Sequence, residues 1–120
     1  MNNWGKDHWS VFVYIEDLAV NGRGFAVPDH RRMRTIQKKH PGMGNHLDAS
    51  EFPTILKKGK IKNHDDWDCV EDIISAGLLM NEGTGINPVY KLTERGKEIA
   101  SQLRIHKQEG KNFGEFEVKE

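Results

Sequence analysis

The stretch "IISAGLLMNEGTGINPVYKLTERGKEIASQL", residues 73–103, holds the pattern that decides the fold. Upstream of it, Trp67, Val70, Ile73 and Ile74 recur at helical spacing, so a helix is predicted over 65–76 with one apolar stripe. Gly77 releases the chain from that helix. "GLLM" then starts a strand, "NEGTGINP" (81–88) is a turn-rich tip, and "VYKLT" (89–93) is the return strand. Thr93 is placed to cap a last helix, "ERGKEIASQLRIHKQ". In that helix Ile99, Leu103 and His106 fall on one side with Ala100 beside them, and Gly110 ends it.

Working outward, "HWSVFVYIEDLAVN" (8–21) reads as a helix. Trp9, Phe12, Val13, Glu16, Ala19 and Val20 lie on one side, and Val11, Ile15 and Leu18 widen the apolar arc. Asp7 is its expected N-cap and Gly22 its stop. "GFAV" (24–27) is a short β-type run. Pro28 and Asp29 then open an expected second helix, "DHRRMRTIQKKH", whose apolar face is thin, mainly Met33 and Ile36. "HPGMGN" (40–45) breaks it. "LDASEF" has the look of a helical turn, and "TILKKGKIK" alternates apolar and basic residues around Gly59, the pattern of a β-hairpin. The tail "KNFGEFEVKE" carries Phe113, Phe116 and Val118, consistent with either an added strand or a loose end.

The chain has 120 residues, one domain's length, with 36% hydrophobic and 30% charged residues, which fits a globular protein rather than a disordered one. No apolar run approaches the roughly 18 residues of a membrane span, and "MNNWGKDHWS" lacks the regions of a signal peptide. A single cysteine, Cys69, excludes an internal disulfide framework, so a reducing, cytoplasmic setting is expected. The formal net charge is zero, but its distribution is uneven. Residues 23–62 hold ten Lys/Arg against three acids, +7, whereas 63–82 hold six acids and no Lys or Arg, −6. Adjacent blocks of opposite sign steer charged partners or neutralise each other.

The helix, short strand, helix, helix, hairpin, helix order is that of a winged helix. The Gly77-Leu78 pair, the 78–93 hairpin and Leu92-Thr93-Glu94-Arg95-Gly96 resemble winged-helix regulators of the MarR and PadR type, in which a two-stranded wing follows a Gly-Leu helix end and "LTxxG" opens the next helix. That match covers about a third of the chain. The whole chain also resembles small uncharacterised bacterial or phage proteins with a "WGxDHWS" start, a resemblance that implies no function. The winged-helix resemblance implies DNA binding, with the helix before the wing in the major groove. Here that helix departs from the pattern: it carries Asp65, Asp66, Asp68, Glu71 and Asp72 and no base. Carboxylates are repelled by phosphates, while Lys and Arg supply most sequence-independent affinity. The DNA-contacting surface is therefore expected on Arg31, Arg32, Arg34, Lys38 and Lys39, joined by Lys57, Lys58, Lys60 and Lys62.

Other clusters read as structural. In "HDDWDC" (64–69), His64 and Asp68 stand four apart, and His, Asp and Cys are all possible metal ligands. Against that, acids favour the first turn of a helix, Asn63 or Asp65 is placed to cap it, and Cys69 suits a small buried site. A zinc set of His40, His46, His64 and Cys69 has no compact module spacing. Asp7, His8 and Ser10 in "DHWS" splay around one helix and form no triad. "GTG" (83–85) lacks the following helix and the Lys-Ser/Thr pair of a phosphate loop.

The sequence thus leads to an α+β, winged-helix-like domain, mostly helical, with a two-stranded wing and a possible extra hairpin, spanning 1–110 with a tail at 111–120. The expected function is non-catalytic DNA association through the basic helix and the Lys-rich segment, without metal or cofactor and without a membrane. The alternative is a protein-interaction module whose acidic helix 65–72 meets a basic partner surface. A metal-dependent enzyme built on His64 and its Asp neighbours ranks below both.

Overall fold

The computed structural model describes residues 4–36, 45–47, 53–56, 59–62, 64–84 and 87–118. Their order is α1 (Lys6–Asn21), β1 (Arg34–Ile36), β2 (Asn45–Leu47), β3 (Pro53–Leu56), β4 (Gly59–Lys62), α2 (Asp66–Ser75), β5 (Leu79–Asn81), β6 (Tyr90–Leu92), α3 (Glu94–Gln108) and a 3-10 turn at Phe113–Glu115. The class is α+β, with three α-helices among the described residues. β5 and β6 pair antiparallel, Leu79 opposite Leu92 and Asn81 opposite Tyr90. Ala26, from the expected "GFAV" strand, forms a single bridge to Tyr90 with both N–H···O distances at 2.8 Å. β3 and β4 form the expected antiparallel hairpin, Ile55 opposite Lys60 and Pro53 opposite Lys62. β1 and β2 pair in parallel.

The Gly-Leu…Leu-Thr-x-x-Gly pattern has a physical basis at the junction of α2, the β5–β6 sheet and α3. Gly77 has φ +81, which a glycine adopts without strain. The Thr93 side chain accepts from Gly96 N–H and donates to the Gly77 carbonyl, and Thr93 N–H donates to the Leu78 carbonyl at 3.1 Å. A Cβ on Gly96 would fall 2.1 Å from the Leu78 carbonyl oxygen. The first turn of α3 is therefore pressed onto the backbone where β5 begins. The core fills the space between the helices and this sheet: Trp9, Phe12 and Ile15 from α1, Val70 and Ile73 from α2, Leu78 and Leu79, and Ile99 and Leu103 from α3.

Three expectations change. The helix expected over 29–39 does not form over its described part: Asp29–Met33 is a turn and Arg34–Ile36 is β1. Asp29 folds back to accept from Arg31 N–H at 2.9 Å, and Arg34 N–H is taken by the Asp66 carboxylate at 2.8 Å rather than by a carbonyl one turn back. A segment with so thin an apolar face gains little by packing as a helix, and Thr35 and Ile36 favour a strand. Residues 37–39 lie outside the described residues, as do 48–52 of "LDASEF"; its Leu47 belongs to β2. The α1 N-cap is Gly5, not Asp7, which sits inside the first turn and is buried. Lastly, the tail, read as either an added strand or a loose end, carries a 3-10 turn, and its Phe116 is buried with the ring 4.8 Å from Trp9 in an edge-on contact, while Phe113 and Val118 pack against the core.

Candidate functional site

The "HDDWDC" cluster divides between three tasks. Asp65 caps α2, as expected: its side chain accepts from Asp68 N–H, and the Asp68 side chain accepts from Asp65 N–H, both at 3.0 Å. This reciprocal box uses two donors that a helix start would leave unpaired. Asp66 takes Arg34: the guanidinium reaches its two oxygens at 3.0 and 3.2 Å and also reaches Asp7 at 3.2 Å. Burial pushes Asp66 above the usual carboxylate range, and Arg34 offsets this only in part. Burial also works against the charge on Arg34, yet Asp66 and Asp7 outweigh it and hold the proton more firmly than usual. Both shifts are upward, which disfavours the charge on Asp66 and favours that on Arg34; Asp66, 6% exposed against 37% for Arg34, bears the greater cost of burial.

The third task joins residues far apart in sequence. Asp72 Oδ2 lies 2.9 Å from His8 Nε2 and 3.0 Å from His64 Nε2. In the tautomer that carries its proton on Nε2, each ring donates to this carboxylate oxygen. His8 is 1% exposed, with Trp4 stacked on it at 5.1 Å. Its Nδ1 is buried and has no hydrogen-bond partner among the described residues. Burial holds His8 below its ordinary range; the hydrogen bond and charge of Asp72 oppose this. Cys69, one turn before Asp72 on α2, is buried and reduced. One ring nitrogen from His8, one from His64 and the Cys69 sulfur lie within 4.8 Å of one another.

No family model, no curated protein and no solved structure matches this chain.

The sequence placed His64 and Cys69 in the cluster but not His8, which lies 56 positions before His64 on another helix. Asp7 and His8 diverge, Asp7 to Arg34 and His8 to Asp72, while Ser10 is exposed, so no triad forms among them. Of the proposed zinc set, His40 is outside the described residues, and His46 is on β2 opposite Thr35.

Five of the nine proposed basic residues are among the described residues. Arg31 is 90% exposed and leans on Asp29, Arg32 is exposed, and Arg34 is committed inward. Lys60 and Lys62 are on β4, while Lys38, Lys39, Lys57 and Lys58 lie outside the described residues. Of the acids of helix 65–72, Asp65, Asp66 and Asp68 are buried, Asp72 is half-buried and Glu71 is exposed. A groove of about 320 Å³ between α1, β6 and α3 carries Lys91, Lys97 and Arg104. Lys97 pairs with Glu94, Arg104 with Glu16, and Lys91 lies over the Phe25 ring. Among the described residues, no helix is long and apolar enough to cross a membrane.

Proposed function

We propose that the chain is a small, non-catalytic, winged-helix-like module that associates with DNA. The observation that carries this reading is the inward placement of the α2 acids. Asp65 and Asp68 cap their own helix and Asp66 binds Arg34, so the helix before the wing presents far less negative charge than its sequence suggests. Repulsion of phosphates falls accordingly. Arg31 and Arg32 stay exposed, and the 53–62 segment that forms the β3–β4 hairpin carries Lys57, Lys58, Lys60 and Lys62 in its sequence. A two-stranded ribbon is an element the major groove admits, so the β3–β4 hairpin takes the part expected of a helix. The β5–β6 wing, supported by the Ala26 bridge, supplies a second backbone contact.

Binding to duplex DNA followed against salt tests this. Affinity should fall steeply as salt rises, and replacing Lys60 and Lys62 by Ala should flatten the log–log slope by about 0.9 for each phosphate that is no longer neutralised. Arg31→Ala with Arg32→Ala should weaken binding similarly across sequences. Absence of binding at low salt, or unchanged affinity in both double variants, would overturn the proposal. The protein-interaction alternative on helix 65–72 keeps less support, because three of its five carboxylates are buried.

A further inference from the structure

We infer that His8, His64 and Cys69 form a site for one zinc-class divalent metal ion, oriented by Asp72. Three observations converge on it. The donor atoms of the three residues, drawn from the first turn of α1, the segment before α2 and the first turn of α2, lie within 4.8 Å of one another. In a tetrahedral zinc site, bond lengths of about 2.0–2.1 Å to nitrogen and 2.3 Å to sulfur put neighbouring donors roughly 3.3–3.7 Å apart. Closing the site therefore takes a movement on the order of an ångström, within reach of side-chain adjustment. Second, His8 Nδ1 is a buried nitrogen without a hydrogen-bond partner among the described residues, inside a ring that is 1% exposed. Third, Asp72 accepts from both imidazoles, which is the carboxylate–histidine arrangement that fixes the tautomer and orientation of metal-binding rings.

Ligand chemistry selects the ion. Imidazole and thiolate suit zinc and its neighbours, and disfavour magnesium and calcium, which want oxygen. Binding needs the thiolate, so the Cys69 proton leaves to solvent as the metal–sulfur bond forms. Three protein donors leave a tetrahedral ion one position, for water or for Asp72 after a turn of its side chain. The ion would fasten the start of α1 to the start of α2, with its ligand His64 two residues after Lys62 ends the basic hairpin.

The experiment is Co(II) titration of the full chain, after chelation under reducing conditions, followed by displacement with Zn(II). Cys69 is the only cysteine, so a thiolate-to-cobalt charge-transfer band reports this site alone. Expected are one equivalent of Co(II) with tetrahedral d–d bands, displacement by Zn(II), and a rise in melting temperature with Zn(II). Cys69→Ser should abolish the charge-transfer band, and Asp72→Asn should weaken affinity about 10–100-fold. His64→Gln, at a partly exposed position, should lose most of the affinity while keeping its circular dichroism spectrum; His30→Gln should change neither. A folded wild-type chain with no thiolate–cobalt band and no zinc-dependent stabilisation would overturn the inference. So would His64→Gln binding as tightly as wild type.

Discussion

Single residues decide how closely the elements approach. Gly96 is fixed by the Leu78 carbonyl, not by φ: a methyl group would collide with it. Gly96→Ala is expected to cost about 1–3 kcal/mol or more, the range for overpacking against atoms that cannot yield. Gly77→Ala meets no neighbour but must hold φ +81, and should cost about 1 kcal/mol. Denaturant midpoints of the two variants check the order. Arg34→Met should cost about 2–3 kcal/mol, below the 3–5 of a fully buried pair because Arg34 keeps partial solvent contact. Adding Asp66→Asn should recover part of that loss, since it removes a buried carboxylate left without its partner. Tyr90 gives a pH test. Burial, with a smaller effect of Glu71, pushes its hydroxyl from 10.0 up to about 12. Its neutral form is favoured in the folded state, so this stability is complete below pH 10 and lost as pH rises from 10 towards 12. The loss is at most about 3 kcal/mol and should vanish from the pH profile of Tyr90→Phe.

At the scale of elements, legibility followed the strength of local signals. The stretch 73–103 was readable because each turn of apolar periodicity ended at a residue with one structural meaning: Gly77 as a helix stop and Thr93 as a cap. The Lys-rich hairpin was readable from alternation. The segment 29–36 reads as helix because its charges suit a helix surface, whereas its conformation is set by two acceptors: Asp29 locally and Asp66, 32 positions from Arg34. Periodicity does not register a distant acceptor. The acids of α2 were legible as a helix start, but not as an inward-facing set, because burial depends on what Arg34 and His8 bring to them. The tail is hard to read for the same reason: Phe116 has no periodic context, and its ring is placed by contacts with Trp9 and His106 that the local sequence does not announce. Phe116→Ala should cost about 3–5 kcal/mol, the range for a buried phenylalanine, and deletion of 111–120 at least as much. Thermal melts of both would show it, and a deletion as stable as the full chain would contradict this placement.

For the whole molecule, net neutrality conceals an uneven use of charge. Some carboxylates serve as caps and buried partners, while Arg31 and Arg32 face solvent. The formal count of zero therefore says little about the field a partner meets. His8 had no signal at all in the sequence that linked it to His64, since nothing short of the fold brings α1 and α2 together.

The Arg34–Asp66 ion pair has a further consequence. It brings together the two ends of a 31-residue stretch that includes β2 and the β3–β4 hairpin, while the helices and the β5–β6 sheet are built from residues outside it. Closing such a loop costs entropy that grows only with the logarithm of its length, about 0.6 kcal/mol for each doubling. Its middle can therefore change length at little entropic cost, whereas Thr35, His64 and Asp65 at its two ends are tied into the frame by burial, by Asp72 and by the cap of α2.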